Sequence, residues 1–452
     1  AWTQGETHIS GVLTSKSAKA LAELTGFKLV GDAASPLRLS LSSTGVAQDG
    51  MALTSDIDTL GAQAQFAGTL AVDSARKMKI DGRLAILGER AQQLYTALGL
   101  SDGGLSPAAQ VLSGEGEFKY GEGQWTYKGV RGTAVGAAYR GDFSLNVAGE
   151  RPQFEGELTT GALHLPWLMR LALMTRDGSN PNAAASFDTN GGLPGDIDFK
   201  LKVGELSIMP GVELKDASVG LKQADDTIAL AVDGIGDASA PFDAEVQFRR
   251  REVELEANGK ISGGFELYNL LRSVDGHVPI AGQIDLSATL SGSGRSPSGL
   301  IAGLTGEGTY ELKAPELSHV SPLKFASGLQ DLNDANDLDR LVATVLFDGQ
   351  MPFAGSEGKL VIDNGVVELA KIPVTAEGAT GHLRTLFEFS SGQIDISARL
   401  QLDALEGLPA FEVAYSGHPR ALERTRDLAA LKSFIGVNVL QKGLDKLEEL
   451  QR

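Results

Sequence analysis

Apolar and polar residues alternate along residues 358–403, which predicts β-strands that each have one apolar and one polar face. We expect four antiparallel strands in a row. Asn364-Gly365 favours a two-residue hairpin turn between the first two strands, and Ser390-Ser391-Gly392 reverses the chain between the last two. The apolar face of such a sheet must be covered either by protein or by a ligand.

Apolar positions of this stretch, together with two from the strand before it, are the candidate ligand-contacting positions. They are predicted to share one face of the sheet: Leu286, Leu290, Leu360, Ile362, Val367, Leu369, Leu383, Phe387, Phe389, Ile394, Ile396, Leu400 and Leu402. The alternative is that two such faces pack on each other as the closed core of a β-sandwich, and alternation alone favours that alternative.

Turn signals along the rest of the chain predict a mainly β protein. Dipeptides of the Asp-Gly and Asn-Gly type recur, for example at Asp49-Gly50, Asp233-Gly234 and Asn258-Gly259. Of the 452 residues, 56 are glycine and only 6% are aromatic, a composition that suits many short strands joined by tight turns.

A repeating unit is visible in the first part of the chain. Short amphipathic helices are predicted at Ser17–Leu24, Glu89–Leu98 and His164–Leu173, spaced by about 75 residues. The segments GAQAQFAGTL and GAAYRGDFSL occupy matching places in successive units. A fixed period predicts an elongated antiparallel sheet in which each unit packs on its neighbours.

The rest of the chain contains other predicted elements. Leu267, Leu270 and Leu271 predict a fourth short helix, Ser291–Gly299 a loop, and residues 321–345 a helical insertion. The longest helix is expected at Ala421–Arg452. We therefore divide the chain into repeated β units (1–275), a C-terminal β region (276–420) and a terminal helix (421–452).

Charge and residue types argue against several classes of function. The formal net charge of −18 argues against nucleic-acid binding and against electrostatic docking onto anionic lipid headgroups. The chain has no cysteine, its six histidines show no metal-ligand spacing, and no catalytic triad is visible. The acids Asp225-Asp226 could serve polysaccharide hydrolysis only with a second carboxylate nearby. We expect no cofactor and no enzymatic activity.

Residues 282–317, GQIDLSATLSGSGRSPSGLIAGLTGEGTYELKAPEL, resemble the C-terminal region of AsmA-family proteins of Gram-negative bacteria. They contain the pattern G-x-S-P-x-x-L followed by L-x-G-x-G-x-Y. Residues 358–383 and the tail from Gly417 are also similar to that family, which is related to the TamB-type bridge-like lipid transport proteins. The resemblance covers roughly residues 260–452.

The resemblance implies a folded-over, V-shaped sheet with an apolar groove, located in the periplasm and involved in phospholipid traffic between the two membranes. Family members normally begin with a transmembrane helix. None is visible here, since the longest apolar segment, His164–Met174, is too short to span a bilayer. Ala1 opens the sequence without a signal peptide. Inner-membrane anchoring is therefore expected of the parent protein.

Three functional hypotheses follow. The first is a carrier that holds phospholipid acyl chains in its groove; exposing about 30 methylenes to water would cost on the order of 20 kcal/mol. The second is an assembly factor that binds outer-membrane or periplasmic proteins through strand edges and the terminal helix. The third is an extracellular enzyme that acts on polysaccharide. The resemblance favours the first.

Overall fold

The computed structural model is dominated by one long sheet of 23 strands. The description below covers residues 5–17, 36–89, 94, 111–134, 136–166, 168–169, 187, 195–209, 211–237, 239–252, 254–273, 278–330, 340–404 and 406–451. The prediction of a mainly β protein built on an elongated antiparallel sheet is confirmed.

Most strands are about ten residues long, as alternating segments separated by glycine-containing turns would predict. The strands of the first half are β1 (Glu6–Ser15), β2 (Leu37–Val46), β3 (Gly50–Thr59), β4 (Ala62–Val72), β5 (Met78–Gly88), β6 (Leu112–Gly121), β7 (Gln124–Ala134), β8 (Ala137–Asn146), β9 (Gln153–His164), β10 (Asp196–Met209), β11 (Val212–Ala224) and β12 (Thr227–Ile235). The second half contains β13 (Pro241–Arg250), β14 (Leu255–Glu266), β15 (Ile280–Gly294), β16 (Thr305–Ser318), β17 (Gln350–Pro352), β18 (Ser356–Asp363), β19 (Val366–Ala376), β20 (Ala379–Glu388), β21 (Gln393–Leu402), β22 (Phe411–His418) and β23 (Ala421–Asp427).

The strands lie in the sheet in the order in which they follow along the chain. Strand β16 pairs with β15 on one side and with both β17 and β18 on the other, so β17 and β18 act as one interrupted strand. Strands β9 and β10 are parallel, whereas the other pairings described are antiparallel. A parallel pair needs a long crossover connection, and here that connection leaves β9 with helical residues at 165–166 and 168–169.

The repeat predicted from the sequence corresponds to a unit of four strands. The two matching segments form β4 and β8, which begin 75 residues apart at Ala62 and Ala137. Each is the third strand of its unit, in β2–β5 and β6–β9. The helix predicted at His164–Leu173 is present where the chain is described, although it begins after His164. The helices predicted at Ser17–Leu24 and Glu89–Leu98 fall almost entirely outside the described residues.

The four strands predicted over residues 358–403 are confirmed as β18 to β21. Asn364 and Gly365 both have positive φ, 49° and 75°, and form the two-residue turn between β18 and β19. The alternation of the sequence therefore sets both the strands and their register here.

The helices are short except for the last. Those that lie wholly within the described residues are α1 (Leu267–Leu271), α2 (Pro297–Ala302), α3 (Pro322–Gln330) and α4 (Ala429–Gln451), with a π-helical turn at Val342–Leu346. Helix α1 confirms the prediction made from its leucines. Helix α3 and the π-helical turn lie in the predicted insertion at 321–345, of which residues 331–339 are outside the described chain.

Two predicted elements were wrong in part. The predicted loop Ser291–Gly299 instead contains the end of β15 and the start of α2. The Ser296 hydroxyl caps α2 by accepting from the Gly299 amide, and Pro297 occupies the first turn, where its missing N–H costs nothing.

The terminal helix begins at Ala429 rather than at Ala421. Residues Ala421–Asp427 form strand β23, which pairs with β22 from His418↔Ala421 to Glu412↔Asp427. These residues have reasonable helix propensity in isolation, but pairing with an existing strand edge overrides a preference of a few tenths of a kcal/mol per residue, about 0.7 at most.

The two faces of the sheet differ in chemistry. On one face, charged residues pair across neighbouring strands, as in Asp81–Lys119 (3.0 Å), Asp198–Lys222 (3.2 Å) and Glu245–Lys260 (3.1 Å). Each of these pairs also consists of directly opposed residues in the register. The side chains are largely exposed, so the pairs favour the observed register more than they add stability.

The opposite, apolar face folds over and is filled with side chains in the C-terminal half. Ile284 on β15 and Val413 on β22 belong to one core cluster although several strands separate them. Phe325 of α3 and Leu346 of the π-helical turn are fully buried in this cluster, and so are Leu431 and Ile435 of α4. A second cluster covers β10 to β14. Helices and the folded sheet together cover the apolar face here.

Strands β14 and β15 pair continuously from Leu255↔Gly294 to Glu266↔Gln283. The sheet therefore continues across the boundary that the sequence suggested near residue 275. Among the helices described, none combines the length and hydropathy that a bilayer crossing requires.

Candidate apolar binding surface

The apolar face extends from the first strand to the last because directly paired residues share a face, and β-bulges absorb register shifts within six of the strand pairs. In the N-terminal half, Leu41 opposes Ser55, which opposes Phe66, which opposes Leu84. In the C-terminal half, Leu360 opposes Leu369 and Leu383 opposes Ala398. A one-residue slip anywhere would turn the apolar side chains toward the charged face, so burial fixes the register.

The candidate positions predicted from the sequence come together on this face. Eight are buried, four are partly buried against the C-terminal core, and Phe389 is 39% exposed beside Phe387. The buried ones are Leu360, Ile362, Leu369, Leu383, Ile394, Ile396, Leu400 and Leu402; the partly buried ones are Leu286, Leu290, Val367 and Phe387.

Burial changes what these thirteen positions can do. Leu383 and Leu400 have no exposed surface, because protein atoms already cover them. A ligand could reach them only if the covering side chains moved away, and a role in ligand contact stays a prediction. In this structure most of them are core residues of the C-terminal half.

The accessible part of the apolar face lies in the N-terminal half, on β1 to β9. Ile9 and Leu13 on β1 are 42% and 47% exposed, and Trp125 on β7 is 39% exposed. Most other large apolar side chains on this part of the face are neither buried nor fully exposed: Leu39, Leu41, Ile57, Leu70, Ile80, Leu84, Ile86, Phe118, Phe143, Leu145, Phe154 and Leu158. This surface, which we call the open apolar face, retains apolar area that a ligand can cover.

Two short rows of aromatic rings cross the open apolar face. Phe66 on β4 contacts Phe118 on β6 edge-to-face, with ring centroids 5.8 Å apart, and Phe118 contacts Trp125 on β7 at 5.5 Å. The second row runs through Tyr127, Phe143, Phe154 and Phe199, from β7 to β10, at 5.2–5.9 Å. Edge-to-face pairs of this kind add about 0.5–1.5 kcal/mol each beyond area burial.

Glycines on the same face make room for these rings. A Cβ on Gly68 would lie 2.7 Å from the Phe66 ring, and one on Gly82 would lie 2.6 Å from it. Gly68 and Gly82 are direct partners in the register. The ring therefore lies flat over two bare backbones, which gives a smooth wall rather than a row of protruding side chains.

The dimensions of the open apolar face suit long apolar ligands. Eight spacings of about 4.8 Å separate β1 from β9, giving roughly 38 Å along the sheet. Half of a hydrocarbon bilayer, which one acyl chain spans, is about 15 Å thick. The face can therefore accommodate more than one extended acyl chain end to end.

Two tyrosine hydroxyls on this part of the face are hydrogen-bonded, whereas the buried Ser43 hydroxyl on β2 has no partner. The Tyr127 hydroxyl donates to the Leu84 carbonyl oxygen at 2.9 Å, and the Tyr139 hydroxyl donates to the Ser113 carbonyl oxygen at 2.9 Å. Burial raises the pKa of Tyr127 to about 12, with smaller contributions from Tyr139 and Glu115. Tyr127 is therefore neutral at physiological pH and adds no charge to the wall.

On the N-terminal strands the ion pairs lie on the opposite face, where carboxylates are stabilised by cations. Arg131 hydrogen-bonds to Glu115 at 2.7 Å and lowers the pKa of that carboxyl, and Arg83 contributes to the same shift. Within the described part of the chain, no three His, Asp or Glu side chains cluster as metal ligands would. The apolar face can therefore bind a ligand through hydrophobic contact.

Comparison with protein-family models, curated proteins and solved structures finds no match to this chain.

Sequence reasoning missed the half of the face that stays accessible. The N-terminal strands alternate as the C-terminal ones do, but what distinguishes them is how much protein lies over them. The aromatic residues Phe118, Trp125 and Phe143 were the available signal, since large rings at alternate positions of successive strands predict a shared surface.

Proposed function

We propose that this protein is a non-enzymatic lipid carrier of the bacterial envelope that holds phospholipid acyl chains against the open apolar face. The observation that carries the proposal is the contrast along one continuous face. Its C-terminal half is filled by protein, whereas β1 to β9 keep large apolar side chains partly exposed. Exposed apolar surface of this extent is typical of sites that bind an apolar partner.

The energetics support the same proposal. A lipid in water would expose methylenes worth about 0.8 kcal/mol each, and contact with the apolar wall removes much of that cost. The opposite face is lined by ion pairs such as Lys202–Glu157 and stays hydrated, so bound lipid would not make the whole molecule insoluble. A headgroup at the rim of the sheet could remain in water.

The resemblance to AsmA-family proteins supports location in the periplasm and traffic between the inner and outer membranes. Anchoring in the inner membrane is part of the same proposal and applies to the full parent protein. The location is tested by fusing alkaline phosphatase after Arg452 of the full parent protein and expressing the fusion in a bacterial host. Activity, which requires export, is the expected result, and an inactive fusion of normal abundance would place the protein elsewhere.

Adjacent residues on opposite faces of β8 provide a matched test of lipid binding. Leu145 lies on the open apolar face, opposite Phe154, and Ser144 lies on the charged face, opposite Glu155. We expect Leu145→Lys to reduce bound phospholipid in native mass spectrometry and to slow lipid transfer between vesicles. Ser144→Lys should leave both unchanged, because its new charge lies beside Glu155 in water.

Circular dichroism and thermal unfolding report whether each variant keeps its fold. If folded Leu145→Lys retained as much phospholipid as the Ser144→Lys control, the open apolar face would not be the lipid site. If the wild-type chain carried no phospholipid and transferred none, the carrier function itself would be wrong.

A second candidate function, an assembly factor for envelope proteins, is favoured by the exposed apolar residues at the two ends of the chain. Val12 lies on the edge strand β1, and Val437, Leu440 and Leu444 are exposed on α4 at helical spacing. Deletion of residues 429–451, which spares β23, should abolish capture of envelope partners in a pull-down under this function. Leu145→Lys should then have no effect on capture.

A further inference from the structure

A polar cavity of about 470 Å³ lies at the rim of the sheet, away from the open apolar face. The residues that line it come from four separate parts of the chain. They are Gly211 and Glu213 at the β10–β11 turn, Asp237 after β12, Asn269, Arg272 and Ser273 in and after α1, and Arg420 in the β22–β23 turn. The four charged residues that line it are exposed, so the cavity is open to solvent.

Two cations and two anions line this rim cavity. Arg272 and Arg420 carry the positive charges, and Glu213 and Asp237 the negative ones. Among the ion pairs formed by described residues, none involves any of these four side chains. The cavity therefore presents both signs of charge without neutralising them internally.

Local contacts hold the walls of the cavity in place. Asp237 accepts hydrogen bonds from the Asn269 side chain at 2.6 Å and from the Glu266 amide at 3.4 Å, at the start of α1. The Arg272 guanidinium lies 5.4 Å from the centre of the Tyr268 ring. Gly211, at φ +86°, approaches α1 so closely that a Cβ would lie 2.8 Å from the Asn269 carbonyl oxygen.

The cavity borders apolar residues of both cores. Leu267 and Leu271 of α1 are buried in the C-terminal core, and Leu214, next to Glu213, is buried in the core of β10 to β14. Arg420 belongs to a hairpin that lies far along the chain from the other lining residues. The cavity thus exists only because the sheet folds over and brings the β22–β23 turn against α1.

We propose that the rim cavity binds a zwitterion made of a phosphodiester and a primary ammonium. Guanidinium groups match phosphate oxygens in charge and geometry, so Arg272 and Arg420 take the phosphodiester. The carboxylates of Glu213 and Asp237 take the ammonium. The same chemistry occurs in the headgroup of an ethanolamine phospholipid and in soluble glycerophosphoethanolamine; only the lipid source rests on the proposed carrier function.

The test uses the full chain and two soluble probes in calorimetry, glycerophosphoethanolamine and the anionic glycerophosphoglycerol. We expect the zwitterion to bind about tenfold or more tightly than the anion, because only the zwitterion engages the carboxylates. Arg420→Glu and Glu213→Lys should each weaken zwitterion binding about tenfold or more. Glu213→Lys should also improve binding of the anion, which reverses the preference.

Matched controls on the charged face of the sheet change the same charges elsewhere. Arg399→Glu on β21 and Glu357→Lys on β18 are exposed and lie outside the cavity, so they should leave binding of both probes unchanged. Thermal unfolding of every variant checks the fold. Arg420→Glu and Glu213→Lys change different parts of the fold, so the test still holds if one of the two variants fails to fold.

Nanodiscs that contain ethanolamine or glycerol phospholipid separate the two sources. Binding of both the soluble zwitterion and the ethanolamine lipid, each sensitive to Arg420→Glu, would support a headgroup site. Sensitivity of the soluble probe alone would support a free ligand and would stand even if the wild-type chain carried and transferred no phospholipid. If neither probe nor lipid distinguished the lining variants from their controls, the proposed site would be wrong while lipid carriage remained intact.

Discussion

The contrast between the two halves of the apolar face predicts different costs for the same substitution. Leu383 on β20 has no exposed surface, and its register partners Ile372 and Ala398 are also buried. Leu70 on β4 also lies on the apolar face, opposite Met51 and Ile80, but it is only partly buried. Truncating each to alanine therefore compares a filled core with an accessible wall.

The magnitude follows from burial. Leu383→Ala removes about 2.4 kcal/mol of transfer free energy, at about 0.8 kcal/mol per carbon, and leaves a cavity that adds to the loss. A total of about 3 kcal/mol is expected. Leu70→Ala leaves no enclosed cavity, and because part of its side chain already contacts water, we expect about 1 kcal/mol or less.

Hydrogen exchange measured by mass spectrometry separates these effects locally, which matters because a long sheet need not unfold in one step. A loss of about 3 kcal/mol corresponds to exchange that is about a hundredfold faster in peptides covering β19 to β21. Peptides covering β3 to β5 should change by less than about tenfold in Leu70→Ala. Equal changes in the two variants would refute the conclusion that protein covers the C-terminal half of the apolar face more completely than it covers the described strands β1 to β9.

Three further measurements probe individual contacts. Gly82→Ala places a methyl group under an aromatic ring and should lower the unfolding temperature, whereas Gly11→Ala, which meets open space on the edge strand, should have little effect. Tyr127, whose pKa is raised to about 12, should stay neutral at pH 11 in ultraviolet titration. Because this tyrosine ionises at lower pH in the unfolded chain, the free energy of unfolding should fall as the pH rises from about 10 to 12. Tyr127→Phe should remove that part of the pH dependence. Arg131→Ala should move the pKa of Glu115 back up toward its ordinary value in an NMR titration, because the hydrogen-bonded cation that lowers it is lost.

Local sequence patterns predicted much of this fold because short-range chemistry determines it. Asn364-Gly365 tolerates positive φ and fixes a hairpin, and the alternation around it fixes which side chains share a face. Helix α1 could be predicted from its leucines, and the repeat from the segments that form β4 and β8, for the same reason. These features depend on residues within one or two elements.

Features that depend on distant parts of the chain could not be predicted in this way. Residues Ala421–Asp427 are a strand because β22 offers an edge, and nothing within the segment indicates that partner. The parallel pairing of β9 with β10 depends on where a crossover returns to the sheet. The rim cavity joins Glu213 to Arg420, two residues that only the folded-over sheet brings to the same place.

The alternation of apolar and polar residues also does not predict how much protein covers the apolar face. Leu145 and Leu400 both stand at apolar positions of regular strands, yet only Leu400 is fully buried. The difference arises because α4 and the insertion around α3 pack in the core that contains Leu400. Whether an apolar position on a strand is buried or accessible therefore depends on the helices and loops that pack over it, not on the strand itself.

The order of strands in the sheet makes the length of this molecule adjustable. Apart from β17 and β18, which both pair with β16, each described strand hydrogen-bonds to its immediate neighbours in sequence, so adding one four-strand unit would extend the sheet by four spacings, roughly 19 Å. No existing pairing would need to be remade, and the new unit would bring its own apolar and charged faces. The length of the sheet can therefore be changed in evolution by changing the number of copies of one short segment.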